Sequence, residues 1–286
     1  MPCPYFDQGP GLCYDEMEVI QMPRKTVIAL FALIVLTLAL LGCKPPEPPT
    51  PTKMPLPLPP SGGAKPEGVS VTWFGQSCFL FEDPAGTTVL IDPFNPDVVG
   101  YRDPGLRETE VDVVAVTHEH PDHNYLQLVK TAANTVRGPG NHQAGSILFK
   151  GIAASHGPQG GGTPDTIFTW QMGGINFCHL GDVGVMLTPD QVSQIGPVDV
   201  LFVPVGGYYT IDASVATQVV DALKPKIVIP MHYQTPMLSP SIAKVLAPAD
   251  AFVQGKEQSP ESEKHTVVLK KETLPQTTQV LVMKYE

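Results

Sequence analysis

Three histidines and two acids crowd into the eight residues Thr117–Asn124, which read THEHPDHN. His118 and His120 stand two residues apart, so in an extended segment their side chains point to the same side. Asp122 and His123 follow directly. Imidazole and carboxylate groups are the ligand types that suit zinc, manganese and iron. The stretch therefore predicts a metal site rather than a solvated polar loop.

The segments on either side explain how these side chains would be brought together. Residues 111–116 form a short apolar run rich in β-branched side chains, which is typical of a buried strand. Residues 124–133 are predicted to form a helix. The histidines would then lie on a strand-to-helix turn, where side chains converge beyond the end of the strand.

Further candidates share one property, since each lies where a predicted strand ends. They are Asp92 after residues 88–91, His156 after residues 151–154, His179 and Asp182 at the end of residues 174–180, and His232 at the end of residues 226–231. His156 also precedes a Gly-rich loop, a pattern that its competitor His142 lacks. Six of the eight histidines fall in these segments, all but His142 and His265, which favours one shared site.

The pattern His118-x-His120-x-Asp122-His123 after a hydrophobic strand resembles the signature of the metallo-β-lactamase superfamily. Over residues 69–286 the chain looks most like the L-ascorbate-6-phosphate lactonase-like metal-dependent hydrolases of that superfamily. The resemblance implies an α/β fold, the four-layer αββα metallo-β-lactamase-like sandwich. It also implies a metal-dependent hydrolase, although the signature says little about the substrate.

By the same resemblance, the site would hold two divalent metal ions, zinc or manganese, and each matched position has a role. The implied ligands are His118, His120 and His156 for one ion, Asp122, His123 and His232 for the other, and Asp182 as the bridge between them. Asp92 would support the site without binding metal, although an ordinary strand-end cap is the alternative for it. Asp122 would also orient the nucleophile. His179 would support the ligands or act on the substrate side, and it is counted with Asp122 as a catalytic candidate.

Two such ions would hold a shared hydroxide, because metal binding lowers the pKa of water from about 15.7 to about 7. This chemistry needs no serine or cysteine nucleophile, and the sequence has no Gly-x-Ser-x-Gly elbow and no P-loop. The expected substrate is a small ester, lactone or phosphodiester. The motif segments carry no Arg or Lys, so a phosphate clamp is not evident, although Arg102 and Arg107 could approach from a loop.

The amino-acid composition limits the classes of partner that the protein is expected to bind. The formal net charge is −10 with a pI near 5.2, which argues against nucleic acid, because phosphate binding favours a basic face. The five cysteines show neither metal-finger spacing nor a disulfide framework. Cys78 and Cys178 fall in apolar runs and are predicted to be small buried hydrophobic residues. The oligomeric state is left open.

The N-terminal part predicts attachment to a membrane. The basic pair Arg24-Lys25, the apolar residues 26–41 and a small residue before Cys43 form a secretory signal. The ending Leu-Leu-Gly-Cys resembles a bacterial lipobox with Cys43 as the lipidated residue, and a plain transmembrane anchor is the alternative. The start is either Met1 or Met22. The enzyme would face outward from the cell membrane or the outer membrane.

The predicted organisation has three parts. Residues 1–43 are the head and signal peptide, the Pro-rich residues 44–67 are a stiff linker, and residues 68–286 are the hydrolase domain. Two alternatives to a small-molecule hydrolase stay open. One is a phospholipase-like hydrolase of membrane lipids, which a tether would favour. The other is a metal-binding lipoprotein without turnover.

Overall fold

The computed structural model describes residues 65–285. The predicted head, the signal segment, Cys43 and nearly all of the Pro-rich linker lie outside the described residues. Within residues 65–285, no helix combines the length and the apolar composition that a membrane span requires.

The first sheet opens the domain and has six strands. Their bounds are β1 Val69–Gly75, β2 Cys78–Glu82, β3 Thr88–Ile91, β4 Glu110–Val116, β5 Thr131–Arg137 and β12 Thr266–Leu269. The spatial order is β12-β1-β2-β3-β4-β5. β1 runs antiparallel to both β12 and β2, and β2 antiparallel to β3, whereas β3, β4 and β5 are parallel. The carboxyl ends of β1, β3 and β4 therefore lie at the same edge of the sheet.

The second sheet has seven strands. Their bounds are β6 Gly140–Ala144, β7 Ile147–Ser155, β8 Pro164–Met172, β9 Ile175–His179, β10 Val200–Pro204, β11 Ile227–Met231 and β13 Gln279–Val280. The spatial order is β13-β11-β10-β9-β8-β7-β6. β6 to β9 are linked by antiparallel pairs, and β9, β10, β11 and β13 run parallel. The carboxyl ends of β7, β9 and β11 consequently share one edge.

Within residues 65–285, five short α-helices accompany the sheets. They are α1 Pro96–Val99, α2 Pro189–Ile195, α3 Ala213–Leu223, α4 Pro240–Ala243 and α5 Asp250–Val253, with single 3₁₀ turns at Leu106–Glu108, Leu126–Leu128 and Lys271–Thr273. α3 begins where the sequence predicts, because the Asp212 side chain accepts hydrogen bonds from the backbone N–H groups of Ser214 and Val215.

The side chains of β3 and β4 alternate between two hydrophobic cores. Val89 and Val113 face the core between the sheets, whereas Leu90 and Val114 face a second core on the outer side of the first sheet. α3 packs its buried face on the second sheet, and α1 packs on the outer core of the first. Helices thus cover the outer sides of a pair of sheets, which is the four-layer α/β sandwich that the sequence predicts.

The prediction of a helix over residues 124–133 is wrong. The segment contains one 3₁₀ turn and then enters β5, which pairs in parallel with β4. The backbone groups along the open edge of β4 need partners, and this tertiary pairing overrides a weak local helix preference. The metal-ligand stretch therefore lies on a strand-to-strand connection in the first sheet.

Candidate metal centre

Each residue predicted for the metal site lies at or just beyond the carboxyl end of a strand. Asp92 follows β3, residues 117–123 follow β4, His156 follows β7, His179 ends β9 with Asp182 three residues later, and His232 follows β11. Because those strand ends share an edge within each sheet, loops from both sheets meet over one point. The fold thereby gathers residues that are more than a hundred positions apart in sequence.

The predicted ligands form two groups within which the donor atoms lie close together. His118, His120 and His156 form the first group, and Asp122, His123, Asp182 and His232 form the second; in each, the ligand atoms all lie within 4.8 Å of one another. In the first group, His118 Nε2 lies 3.0 Å from His120 Nδ1. Five histidines and two carboxylates are therefore brought together as the sequence pattern suggests.

Asp182, a member of the second group, also lies close to the first. Its Oδ2 atom is 3.1 Å from Nε2 of His156, which belongs to the first group, and 3.1 Å from Nε2 of both His123 and His232, which belong to the second. His118 Nε2 lies 4.0 Å from the same oxygen. One carboxylate oxygen is thus within reach of nitrogens from both groups, the position that a bridging ligand requires.

Asp92 and Thr117 fix the orientation of two of the histidines. Asp92 accepts hydrogen bonds from the backbone N–H and the hydroxyl of Thr117, both at 2.8 Å, and His123 Nδ1 lies 2.8 Å from Asp92 Oδ2. Because the Thr117 hydroxyl proton points to Asp92, its oxygen accepts from His118 Nδ1 at 3.1 Å. In their neutral forms, His118 and His123 therefore carry the proton on Nδ1 and present Nε2 to the centre.

Buried atoms without hydrogen-bond partners test whether the site fits metal ions. Among residues 65–285, His123 Nε2 and Asp182 Oδ1 are buried and make no hydrogen bond. Such atoms are rare in folded proteins because leaving them unpaired costs free energy. A lone pair that binds a metal ion needs no hydrogen-bond donor, and imidazole with carboxylate is a donor set for divalent transition metals. The residues present therefore fit divalent ions.

The charges in the metal-free centre are strongly coupled. Burial lowers the pKa of His232, but the nearby carboxylates of Asp182 and Asp122 outweigh it and raise that pKa to about 9. Burial also opposes protonation of His123, yet Asp182, Asp122 and Asp92 raise its pKa well above the usual value. Conversely, burial disfavours the charge on Asp182, whereas His123 and His232 hold its pKa well below the usual range. Without metal, protons on the histidines balance the buried carboxylates.

Three residues of the site adopt the left-handed backbone conformation that side chains disfavour. The φ angles are 51° at Gln76, 50° at Asp92 and 49° at His232. Such residues persist only where the surrounding structure holds them, and they cluster at functional sites. A backbone hydrogen bond holds two of them together, since the His232 N–H donates to the Gln76 carbonyl at 3.3 Å.

Gln76 is a site residue that the sequence analysis missed. It lies beyond β1, is buried, and donates from Nε2 to Asp122 Oδ2 at 3.2 Å. This contact fixes the carboxylate of Asp122, which faces the open side of the centre. The signal that would have identified Gln76 is its position, directly after the glycine that ends a strand. Asp92 and His232 are selected by the same rule, since each follows the end of a strand.

Asp165 is the second missed residue. It lies in β8, is fully enclosed, and places Oδ1 at 3.5 Å from His118 Nδ1. Neither of its oxygens has a hydrogen-bond partner among residues 65–285, and burial raises the pKa of its carboxyl group. Because Asp165 stands near the start of a strand rather than at its end, no local pattern marks it.

The position of His179 corrects the prediction that it is a catalytic residue. Its side chain is completely buried, with Nε2 at 3.1 Å from the Ser77 carbonyl and Nδ1 accepting from the Gly181 N–H at 3.2 Å. Both ring nitrogens are therefore committed to the backbone, and the ring lies beneath the site. A catalytic contact with substrate does not fit this position. His179 instead positions the turn that carries Asp182.

A cavity of about 320 Å³ opens onto the centre. Five members of the donor groups are among the residues that line it: His120, Asp122, His156, Asp182 and His232. The glycine-rich loop after β7 covers the His156 ring so closely that a Cβ atom on Gly160 would lie 1.6 Å from His156 Nδ1. A residue with a side chain at position 160 would push the ring or the loop aside.

Comparison with known proteins identifies the family. A family model described as a Beta-lactamase superfamily domain matches residues 70–232, more than half of the chain. The chain is 31% identical over 218 residues to a metal-dependent hydrolase of Methanoregula boonei, covering 66% of this chain and 90% of that protein. It is 29% identical over 197 residues to a metal-dependent hydrolase of Carboxydothermus hydrogenoformans, covering 58% and 85%.

A solved structure from Thermotoga maritima, assigned to the Zn-dependent hydrolases of the metallo-β-lactamase superfamily, gives a TM-score of 0.60 at 35% identity. The match covers 75% of this chain and 98% of that one. The region matched by the family model contains all of the residues that form the two donor groups. The chain therefore belongs to the metallo-β-lactamase superfamily, among its metal-dependent hydrolases.

Proposed function

We propose that this chain hydrolyses a small ester, lactone or phosphodiester at a centre of two divalent ions, zinc or manganese. One ion would be held by His118, His120 and His156, and the other by Asp122, His123 and His232. Asp182 would bind both ions. Ions bound there would lower the pKa of water and polarise the bond under attack. The position of Asp182 Oδ2, at 3.1 Å from histidines of both groups, is the observation that carries the proposal.

The protein's own residues would position the reactants. Asp122 lines the cavity, and although burial opposes its charge, His123 and His232 hold its pKa well below the usual value. The ionised carboxylate would accept a hydrogen bond from the attacking water and hold that water toward the substrate. Gln76 would keep Asp122 in this orientation through its 3.2 Å amide contact. Asp92 would keep His123 in the correct tautomer.

Elemental analysis of the gently purified full chain tests the ion count. We expect about two divalent ions per chain, a number that Asp182→Ala should lower because it removes the shared ligand. Less than about one ion per chain would overturn the dinuclear centre. A generic panel of esters, lactones and phosphodiesters tests turnover, and metal content without turnover on any of them would favour a metal-binding protein.

We also propose that Cys43 carries lipid and that residues 44–67 hold the enzyme away from a bilayer. The support is the sequence before Cys43, a basic pair followed by an apolar run and a small residue. Lipid chains contribute about 0.8 kcal/mol per buried CH₂, so a multiply acylated cysteine would anchor the protein. Membrane fractionation with mass spectrometry of the mature N-terminus is the test. Processing of Cys43→Ala like the wild type would overturn the anchor.

Membrane lipids are a second candidate substrate class, favoured by apolar side chains exposed near the cavity. Val98 lines the cavity and is 42% exposed, and Tyr208 is 55% exposed beside Tyr209, another lining residue. Faster hydrolysis of an ester presented in vesicles than of the same ester below its aggregation limit would support this candidate.

We propose that the chain belongs to a branch similar to the L-ascorbate-6-phosphate lactonases, and the support for this is the motif segments. A lactone is consistent with the cavity, whereas the phosphate of such a substrate would need a cationic partner. Hydrolysis of a phosphorylated lactone in preference to its unphosphorylated form would support the branch.

A further inference from the structure

Two kinds of residue line the cavity. Five members of the donor groups line what we call its floor, and Val98 from α1, Ile242 from α4 and Tyr209 line what we call its apolar wall. No lysine or arginine is among the residues lining the cavity in the described part of the chain. An apolar wall with few polar groups opposite it is typical of a small-molecule site, and about 320 Å³ is near the lower end of such sites.

The apolar wall is held in a fixed shape. The Ser239 N–H, just before α4, donates to the Val99 carbonyl of α1 at 2.7 Å. Gly100 ends α1 with φ near 91°, and a Cβ atom there would lie 2.5 Å from the Ser239 nitrogen. This close backbone contact joins the two short helices. The backbone positions of Val98 and Ile242 are therefore fixed relative to each other, which preorganises this part of the cavity lining.

The arginines that flank residues 117–123 in sequence have acidic partners of their own. Arg137 pairs with Glu119, and Arg107 pairs with Asp103 at 2.7 Å while lying over the ring of Tyr125. The whole chain carries a net charge of −10, which disfavours the approach of anions. A phosphate group in the cavity would thus depend on the metal ions alone for its charge partner.

We infer that the substrate is an uncharged carboxylic ester or lactone whose hydrocarbon part packs against Val98 and Ile242. The inference rests on the proposed function and narrows it, since it excludes phosphodiesters. The carbonyl would face the floor, where the donor groups lie. The hydrocarbon part is short, because the cavity also has to hold the reacting group.

The test compares substrates that share one chromophore. The metal-loaded full chain is assayed on p-nitrophenyl acetate, p-nitrophenyl butyrate and bis(p-nitrophenyl) phosphate, each corrected for its spontaneous rate and for chelator-treated protein. We expect kcat/KM to be highest for butyrate and roughly tenfold above acetate, the preference that burying two further methylene groups gives. The phosphodiester should be the poorest substrate. A kcat/KM for the phosphodiester at or above that for butyrate would overturn the inference while leaving the proposed hydrolase intact.

Two valines provide a matched pair of variants. Val98 lines the cavity and is 42% exposed, whereas Val268 in β12 is 46% exposed and does not line it. Val98→Asn should reduce the preference for butyrate over acetate to below about threefold, and Val268→Asn should leave it unchanged. Equal preferences for butyrate over acetate in the two variants would overturn the inference that the hydrocarbon part of the substrate packs against Val98. Failure of the loaded protein on all three substrates would instead overturn the proposed function, and the inference with it.

Discussion

The Thr117 hydroxyl donates to Asp92 Oδ2 across 2.8 Å, and this contact connects histidines of the two donor groups. His118 lies on one side of it and His123 on the other, each with its Nδ1 atom in the same hydrogen-bonded chain. A change at Thr117 therefore affects the first group directly and the second group through Asp92. The two groups are joined beneath the cavity as well as through Asp182.

Thr117→Val keeps the shape of the side chain and removes the hydroxyl. We expect the affinity for divalent metal to fall about 10- to 100-fold, the usual cost of losing an outer hydrogen bond to a ligand. Competition with a chromogenic chelator measures this. Thr72→Val is the control, because Thr72 is also buried and its hydroxyl lies 2.9 Å from that of Thr266, outside the site. Equal metal affinities in the two variants would contradict the prediction.

Asp165→Asn should also weaken metal binding, with the larger effect on the group that contains His118. The carboxylate lies 3.5 Å from His118 Nδ1, and the amide keeps its size while losing its charge. We expect a decrease of about tenfold or more in the affinity for the first ion. Asp112→Asn is the control, since Asp112 is exposed and, within residues 65–285, its side chain hydrogen-bonds only to Thr88. Unchanged stepwise metal affinities in Asp165→Asn would remove any positioning role for this residue.

The metal-free protein should lose stability as the pH rises from about 6.5 to about 9. The pKa of His232 is about 9 in the folded chain and about 6.5 when unfolded. Its stabilisation is therefore complete below the unfolded value and is lost as the pH passes through the folded value. The free energy of unfolding should fall by up to about 1.4 kcal/mol per pH unit for each such histidine. Asp182 stays ionised throughout that range, because its pKa is lowered.

Denaturant unfolding of chelator-treated protein at several pH values measures this trend. His232→Gln should flatten it, because the titrating group is gone. Metal affinity should change in the opposite direction and rise with pH over the same range, since each bound ion must displace protons from its histidines. A metal-free protein whose stability rises between pH 6.5 and pH 9 would contradict the assigned pKa shifts.

Asp182→Ala and His120→Ala should each abolish hydrolysis, whereas His265→Ala should not. The first two belong to the donor groups and line the cavity. His265 lies outside both groups and packs edge-on against Phe74 with ring centroids 6.0 Å apart. Steady-state kinetics on the preferred ester is the measurement, with the amount of folded protein determined separately. A loss of kcat in His265→Ala as large as in the other two would show that the site is assigned wrongly.

Most of the site could be predicted from the sequence because its residues follow one rule. His118, His156 and His232 each come within two residues of the end of a short apolar run, and the carboxyl ends of parallel strands meet at one edge of a sheet. Asp165 breaks the rule, since it reaches the site from within a neighbouring strand, and only the pairing of β7, β8 and β9 brings it there. The error over residues 124–133 has a similar origin, because β5 exists only through its pairing with β4.

The left-handed backbone at Gln76, Asp92 and His232 implies a trade-off between activity and thermostability. Glycine adopts this conformation without a steric penalty, so Gln76→Gly would relax the backbone while releasing Asp122 from its amide contact. Keeping side chains at these positions retains the ligand geometry at the expense of folding free energy. Variants selected only for heat resistance would therefore tend to lose the functional side chains there. Durable, active variants should carry their stabilising changes in the outer helices and sheet edges.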